Sequence, residues 1–163
     1  MFTLCDERDE HAPAIEQLLD SAWGEERWHK TCQKLRNGSK PLRELSLVAL
    51  KRGKLIGTVR LWPIQLGRKP SLLLGPLAVD ATWRDKGVGG ALMTEALRRA
   101  QGMREGSVLL VGDADYYRRF GFSPDPTTKL WLPGPVDQKR FLGKELRKGA
   151  LDKAEGAVLP LAA

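Results

Sequence analysis

The sequence predicts an α/β (α+β) fold, one mixed sheet flanked by helices, and two stretches carry that expectation. Residues 45–50 and 55–64 read as strands joined by the short turn Lys51-Arg52-Gly53-Lys54, an antiparallel hairpin. Residues 71–79, a helical repeat over 87–101 and the apolar run 107–111 read as strand, helix and strand, and such a βαβ unit makes its two strands parallel. At 163 residues, 42% hydrophobic and 29% charged, the chain is expected to form a single domain over 1–163 with a sizeable core.

Each element follows from local pattern. Residues 2–5 open as a short strand. Over 12–36 the pattern is helical: Ile15, Leu18, Leu19 and Ala22 share one face, Gly24 breaks the run, and Trp28, Cys32 and Leu35 continue it as a second helix. Residues 37–41 form a loop, the hairpin follows, and Gly67-Arg68-Lys69-Pro70 turns into the strand 71–79. Gly75-Pro76 interrupts that strand. Proline donates no ladder hydrogen bond and glycine in a strand marks a bulge, so a kink is expected there. The helix over 87–101 buries Val88, Leu92, Ala96, Leu97 and Ala100 and exposes Thr94, Glu95, Arg98 and Arg99, with Glu95 and Arg99 spaced as an i,i+4 pair. A helical turn through 116–120 ends at Gly121, strands are expected near 129–132 and 141–146, and the glycines after Pro133 argue for strand and turn over a long helix.

The net charge of +7 points to an anionic partner. The basic residues are dispersed, among them Arg52, Lys54, Arg60, Arg98, Arg140 and Arg147, with no basic tail and no RNP-like aromatic motif. A nucleic acid is therefore disfavoured, and a phosphate-bearing cofactor accounts for part of the bias. Cys5 and Cys32 are too few for a disulfide framework, and His11 and His29 too scattered for a metal site. No stretch approaches the ~20 apolar residues of a membrane helix. Charge at Asp6 and Glu7 falls where a signal peptide needs its apolar region, so the expected location is the cytoplasm, with no membrane partner.

The chemistry concentrates in Arg84-Asp85-Lys86-Gly87-Val88-Gly89-Gly90, a glycine-rich turn that opens a helix. Such a turn presents unpaired backbone N–H groups, the helix dipole adds partial positive charge, and Arg84 and Lys86 add full charges: a site for phosphate or pyrophosphate. Both this turn and Gly112-Asp113-Ala114-Asp115-Tyr116-Tyr117 leave the carboxyl ends of the parallel strands, so they share the edge where open α/β sheets bind ligands. A P-loop is ruled out, since Gly89-Gly90-Ala91 stands where Gly-Lys-Ser/Thr is needed. A dinucleotide fingerprint fits in part, with Leu92 in place of the third glycine; a purely structural glycine turn is the third reading.

The turn also matches Gln/Arg-x-x-Gly-x-Gly/Ala, preceded by Leu77-Ala78-Val79, and Tyr116-Tyr117-Arg118-Arg119-Phe120-Gly121-Phe122 matches a Tyr-x-x-x-Gly-Phe segment. In these blocks and in the order of elements over roughly 1–132 the chain resembles the GNAT superfamily of acetyl-CoA-dependent N-acetyltransferases, closest to its predicted N-acetyltransferase branch. The resemblance implies a mostly antiparallel sheet with a central, splayed parallel pair. It implies that Gly87, Val88, Gly89, Gly90 and Ala91, with Arg84 and Lys86, hold the pyrophosphate of acetyl-CoA, and that Leu77, Ala78 and Val79 line its pantetheine arm. It implies direct attack by an amine acceptor, a backbone oxyanion donor at Val79, and Tyr117 as the general acid that protonates the leaving thiolate. A phenol (pKa ~10) donating to a thiolate (~8.5) costs little.

Several assignments stay open. Tyr117 could simply pack under the cofactor, Tyr116 and Phe120 read as core anchors, and Arg118-Arg119 face either the 3′-phosphate of CoA or solvent. Asp113 and Asp115 read better as helix caps than as a general base; Glu25, Glu26 and Glu44 are further candidates for the base, and Trp28 and Trp62 could line the acceptor pocket or sit in the core. Residues 132–163, in the family, shape the acceptor site or a dimer contact, so a homodimer and the identity of the amine are both open. A non-catalytic acyl-CoA-binding module with the same fold is the alternative function.

Overall fold

The thirteen-residue strand β3 (Lys54–Leu66) is the spine of the sheet. In the computed structural model, which describes residues 1–161, its first half pairs with β2 (Leu47–Lys51) and its other edge pairs along most of its length with β4 (Lys69–Val79). β1 (Thr3–Asp6) adds outside β2, while β5 (Ser107–Val111) and β7 (Phe141–Glu145) continue beyond β4, in the order β1-β2-β3-β4-β5-β7. The far end of β3 also pairs with β8 (Gly156–Pro160), which in turn pairs with the two-residue β6 (Leu130–Trp131). Pairing is antiparallel except for β4–β5 and β6–β8.

Strand alternation sorts the side chains onto two helical layers. Leu72, Leu74, Val108 and Leu110 turn to the face covered by α3 (Val88–Gly102), which buries Val88, Leu92, Met93, Ala96, Leu97 and Ala100 there. On the other face Val48, Leu55 and Ala78 meet Ile15, Leu18 and Leu19 of α1 (Ala12–Trp23). Helix α3 lies so close to β3 that a Cβ on Gly57 would stand 2.8 Å from Val88 Cγ1.

Midway along β4 the alternation flips. Leu72 and Leu74 face the α3 side, and so do Leu77 and Val79. The register shows why: Val59 pairs with Leu77 and Leu61 with Leu74, so β3 advances two residues while β4 advances three. The extra residue is the bulge expected at Gly75-Pro76.

One expected element is corrected. The second helix through Trp28, Cys32 and Leu35 divides into a 3-10 segment, Gly24–His29, and a single turn, α2 (Gln33–Arg36). Gly24 sits at positive φ and Trp28 is half exposed, so Cys32 and Leu35 alone carry the buried face.

Candidate active site

The parallel pair β4–β5 is joined only at Leu72–Val108 and Leu73–Leu109. Beyond the bulge β4 stays with β3 as far as Val79–Gly57, and β5 stays with β7 as far as Val111–Phe141, so the two strands part toward their carboxyl ends. The main-chain groups that face this gap follow from parity. Asp80 N–H donates to Ile56 O at 2.8 Å, which makes Val79–Gly57 a non-hydrogen-bonded pair. The N–H and C=O groups of Val79, and of Leu77 two residues earlier, therefore point away from β3 and into the gap. Ala78 lies between them with its main chain turned to Thr58 and its side chain buried against α1.

At the end of β4, Asp80 closes a short 3-10 turn by accepting from Thr82 N–H at 2.9 Å. The Thr82 hydroxyl, which also donates to it at 2.8 Å, and then this backbone bond hold its carboxyl below the usual carboxylate range. The chain then passes through two left-handed residues, Asp85 (φ 61°) and Gly87 (φ 84°), into α3. The first intrahelical bond runs from Ala91 N–H to Gly87 O at 3.0 Å, leaving the N–H groups of Val88, Gly89 and Gly90 without helical partners. Ala91 thus serves the helix, and the three residues before it supply the free donors. Arg84 and Lys86 are exposed beside them, Lys86 Nζ standing 5.2 Å from the centre of the Trp83 ring. The backbone at Gly89 is bare for a reason: a Cβ there would lie 2.9 Å from Tyr116 Oη.

The strand β5 leads into α4 (Ala114–Tyr117), capped by the Asp113 carboxylate accepting from Asp115 N–H at 3.0 Å. Tyr117 packs edge-on against Tyr116 (4.9 Å between centroids) and Phe122 (6.1 Å). Burial, with smaller repulsion from Tyr116, pushes the Tyr117 phenol up to about 12, so it is a protonated donor throughout the neutral range. Tyr116, expected as a core anchor, instead stands half-buried at the glycine turn with the Arg119 guanidinium 4.7 Å over its ring; Phe120 packs against the α3-side core.

A cavity of about 470 Å³ opens from the gap. Gly75, Leu77, Leu110, Val111 and Tyr117 line it, and the rest of its wall comes from residues 19–36 and 135–140. Thr31 Oγ1 donates to Pro135 O at 2.6 Å and Lys34 Nζ to Pro133 O at 3.1 Å, tying those two segments together. This wall carries Arg27, His29, Lys30, Arg36, Asp137 and Arg140, none of them singled out as site residues by sequence. No spacing signals them, because contacts such as Thr31–Pro135 span 104 residues.

The residues weighed earlier for the acceptor side lie elsewhere. Glu25, Glu26 and Glu44 do not line the cavity, Trp28 is half exposed with Arg27 stacked 4.1 Å over it, and Trp62 is buried behind the bulge. Asp115 pairs with Arg118 at 3.0 Å in solvent. Among the described residues no group of three or more His, Cys, Asp and Glu could hold a metal ion, and no helix is long and apolar enough to cross a membrane.

The family model of the acetyltransferase (GNAT) domain matches residues 43–124, the stretch that contains the bulge, the glycine turn and Tyr117. The chain is similar to the uncharacterized N-acetyltransferase YhbS of Escherichia coli (strain K12), 29% identical over 150 residues that cover 90% of this chain and 89% of the relative. It also resembles the crystal structure of the GNAT family N-acetyltransferase YhbS from Escherichia coli in complex with CoA, with a TM-score of 0.83 and 27% identity over 98% of this chain and 89% of that one. A GNAT family acetyltransferase from Brucella melitensis in complex with acetyl-CoA gives a TM-score of 0.64 at 27% identity, over 93% of this chain and 99% of that one.

Proposed function

The chain belongs to the GNAT acetyltransferase family, and from that premise we propose that it transfers the acetyl group of acetyl-CoA to a primary amine by direct attack in a ternary complex. The observation that carries this reading is the gap between β4 and β5. Main-chain groups of Leu77 and Val79 are turned into it, with free helix N–H groups at one end and a protonated phenol at its edge.

The residues present fit the cofactor. The N–H groups of Val88, Gly89 and Gly90, with Arg84 and Lys86 beside them, suit a pyrophosphate, and bare Gly89 admits it closely. Leu77 and Val79 offer main-chain donors and acceptors to an amide-bearing arm laid along the gap as an added strand. Acetyl-CoA supplies an activated thioester there. The Val79 N–H, turned into the gap, would stabilise the negative charge that develops on the thioester oxygen, a contribution of about 3–4 kcal/mol for a well-placed donor. Tyr117 gives its proton to the departing sulfur. A phenol at about 12 is a weak acid for a thiolate of ordinary basicity. His29 and Asp137 are the cavity-wall groups able to accept a proton from the incoming amine, directly or through water.

The test is thermal unfolding with acetyl-CoA, using NADH and ATP as controls. Acetyl-CoA at ~100 times its Kd adds about 2.7 kcal/mol, a rise of roughly 5–10 °C for a domain of this size. A shift with acetyl-CoA alone, followed by thiol release with an amine, supports the reading. A shift without turnover of any amine leaves a CoA-binding module, and no shift removes the proposal's foundation.

A further inference from the structure

The cavity that Tyr117 lines carries, among the described residues, the cations Arg27, Lys30, Arg36 and Arg140 and the carboxylate Asp137. Of its cations Arg27 is already neutralised, donating to Glu16 at 2.6 Å and Asp20 at 3.0 Å. Lys30, Arg36 and Arg140 form no ion pair among the described residues. Arg36 Nε is buried with no hydrogen-bond partner, and its guanidinium makes one long bond, from Nη1 to Gln33 Oε1 at 3.5 Å. The same guanidinium lies on the bulge of β4, where a Cβ at Gly75 would meet Arg36 Nη2 at 2.9 Å. Lys30 Nζ sits 4.3 Å from the centre of the Trp23 ring. Burial, then repulsion from Arg36 and Arg140, holds its ammonium below the usual lysine range. Asp137, the one carboxylate on the wall among the described residues, accepts from Lys139 N–H at 3.0 Å and forms no ion pair with these cations.

Unpaired buried guanidinium is costly, and an oxyanion is the partner that relieves it. That oxyanion is not the cofactor pyrophosphate of the reading above, because none of residues 84–91 lines this cavity. A cavity of about 470 Å³ has the capacity of a small molecule.

Resting on the acetyl-transfer reading, we propose that the acceptor is a small amine whose far end bears a carboxylate or phosphate, held by Arg36, Lys30 and Arg140 while its amino group points toward Tyr117 and the gap. The same cations assist the chemistry, since positive neighbours favour the neutral, nucleophilic form of the amine. They also repel polyamines and basic peptides.

A matched series tests this on the acetyl-CoA-saturated protein: β-alanine, O-phosphoethanolamine, 2-aminoethanol and 1,2-diaminoethane, followed by thiol release and by the thermal shift each adds. The expected result is a kcat/KM for one of the two anionic amines at least tenfold above the neutral and dicationic ones, and which of them leads distinguishes carboxylate from phosphate. Arg36→Gln should raise KM for that amine about ten- to hundredfold, the range expected for losing a charge-assisted hydrogen bond, with the acetyl-CoA shift unchanged. Arg140→Gln, at an exposed position, should do the same more weakly and guards against a folding defect at Arg36. The proposal is overturned by preference for 2-aminoethanol or 1,2-diaminoethane, by neither anionic amine binding or reacting, or by Arg36→Gln weakening acetyl-CoA instead. Failure of acetyl-CoA itself to shift the protein would strike the transfer reading, a separate result.

Discussion

The indole N–H of Trp62 donates to the carbonyl of Gly75 at 2.6 Å, a buried bond from β3 to the bulge of β4. Gly75 has φ 133°, a conformation that side chains resist, and the extra residue it accommodates is what turns Leu77 and Val79 toward the gap. Trp62 is thus a positioning residue for the site, reached from outside the cavity.

Trp62→Phe keeps an aromatic ring in the core but leaves Gly75 O without its donor. The cost should be about 1–3 kcal/mol, a Tm lower by roughly 3–10 °C, together with a reduced kcat as Val79 loses its fixed aim. Calorimetry and steady-state kinetics on the same sample check both; an unchanged Tm would show that the bond contributes nothing.

Tyr117→Phe should lower kcat about tenfold or more while leaving the acetyl-CoA thermal shift intact, as expected for a group that acts only on the leaving sulfur. It should also change alkaline stability. The phenol rises from its ordinary 10.0 to about 12 on folding, so its stabilising share is complete below pH 10 and is lost as pH climbs toward 12. Urea midpoints from pH 9 to 11.5 should fall less steeply in the variant than in the natural protein.

The glycine turn makes a geometric prediction. Gly89→Ala puts a methyl against Tyr116 Oη, beside the N–H groups proposed to hold the pyrophosphate, and should weaken acetyl-CoA at least tenfold with little change in the Tm of the free protein. Gly87→Ala meets nothing within 4 Å but is held at φ 84°, so it should cost about 1 kcal/mol of stability. Opposite patterns in the two variants would contradict this division of labour.

On the surface, Arg98 and Arg99 hold the Glu95 carboxyl down to about 2, and Arg99 reaches on to Asp6 at 2.6 Å, joining α3 to β1. A depressed carboxylate stabilises the fold above its unfolded value near 4.5, and that share disappears as pH falls toward 2. Glu95→Gln should therefore flatten the stability profile between pH 4.5 and 2 and reduce its salt dependence there, readable from denaturant midpoints. A profile identical to that of the natural protein would rule the pair out as a determinant.

Much of the fold, and the backbone geometry of the glycine turn, were legible from local pattern. Residues 107–111 were placed to the residue because an apolar run bounded by Gly106 and Gly112 has few alternatives. The glycine turn was legible because opening a helix through left-handed residues needs glycine at Gly87. The one-turn α2 was misread as a longer helix, since apolar spacing at Trp28, Cys32 and Leu35 records no break.

By itself, then, the sequence determined the β4-α3-β5 unit, the glycine turn that opens α3 and the kink at Gly75-Pro76, because each is written in neighbouring residues whose backbone preferences are local. The tertiary structure alone decided that Arg36, Lys30 and Arg140 line one cavity with Tyr117. It also decided that Leu77 and Val79, rather than Ala78, offer their main chain to the gap. Those facts depend on strand register and on the packing of segments about a hundred residues apart, and no local preference encodes which distant charge will be left without a partner.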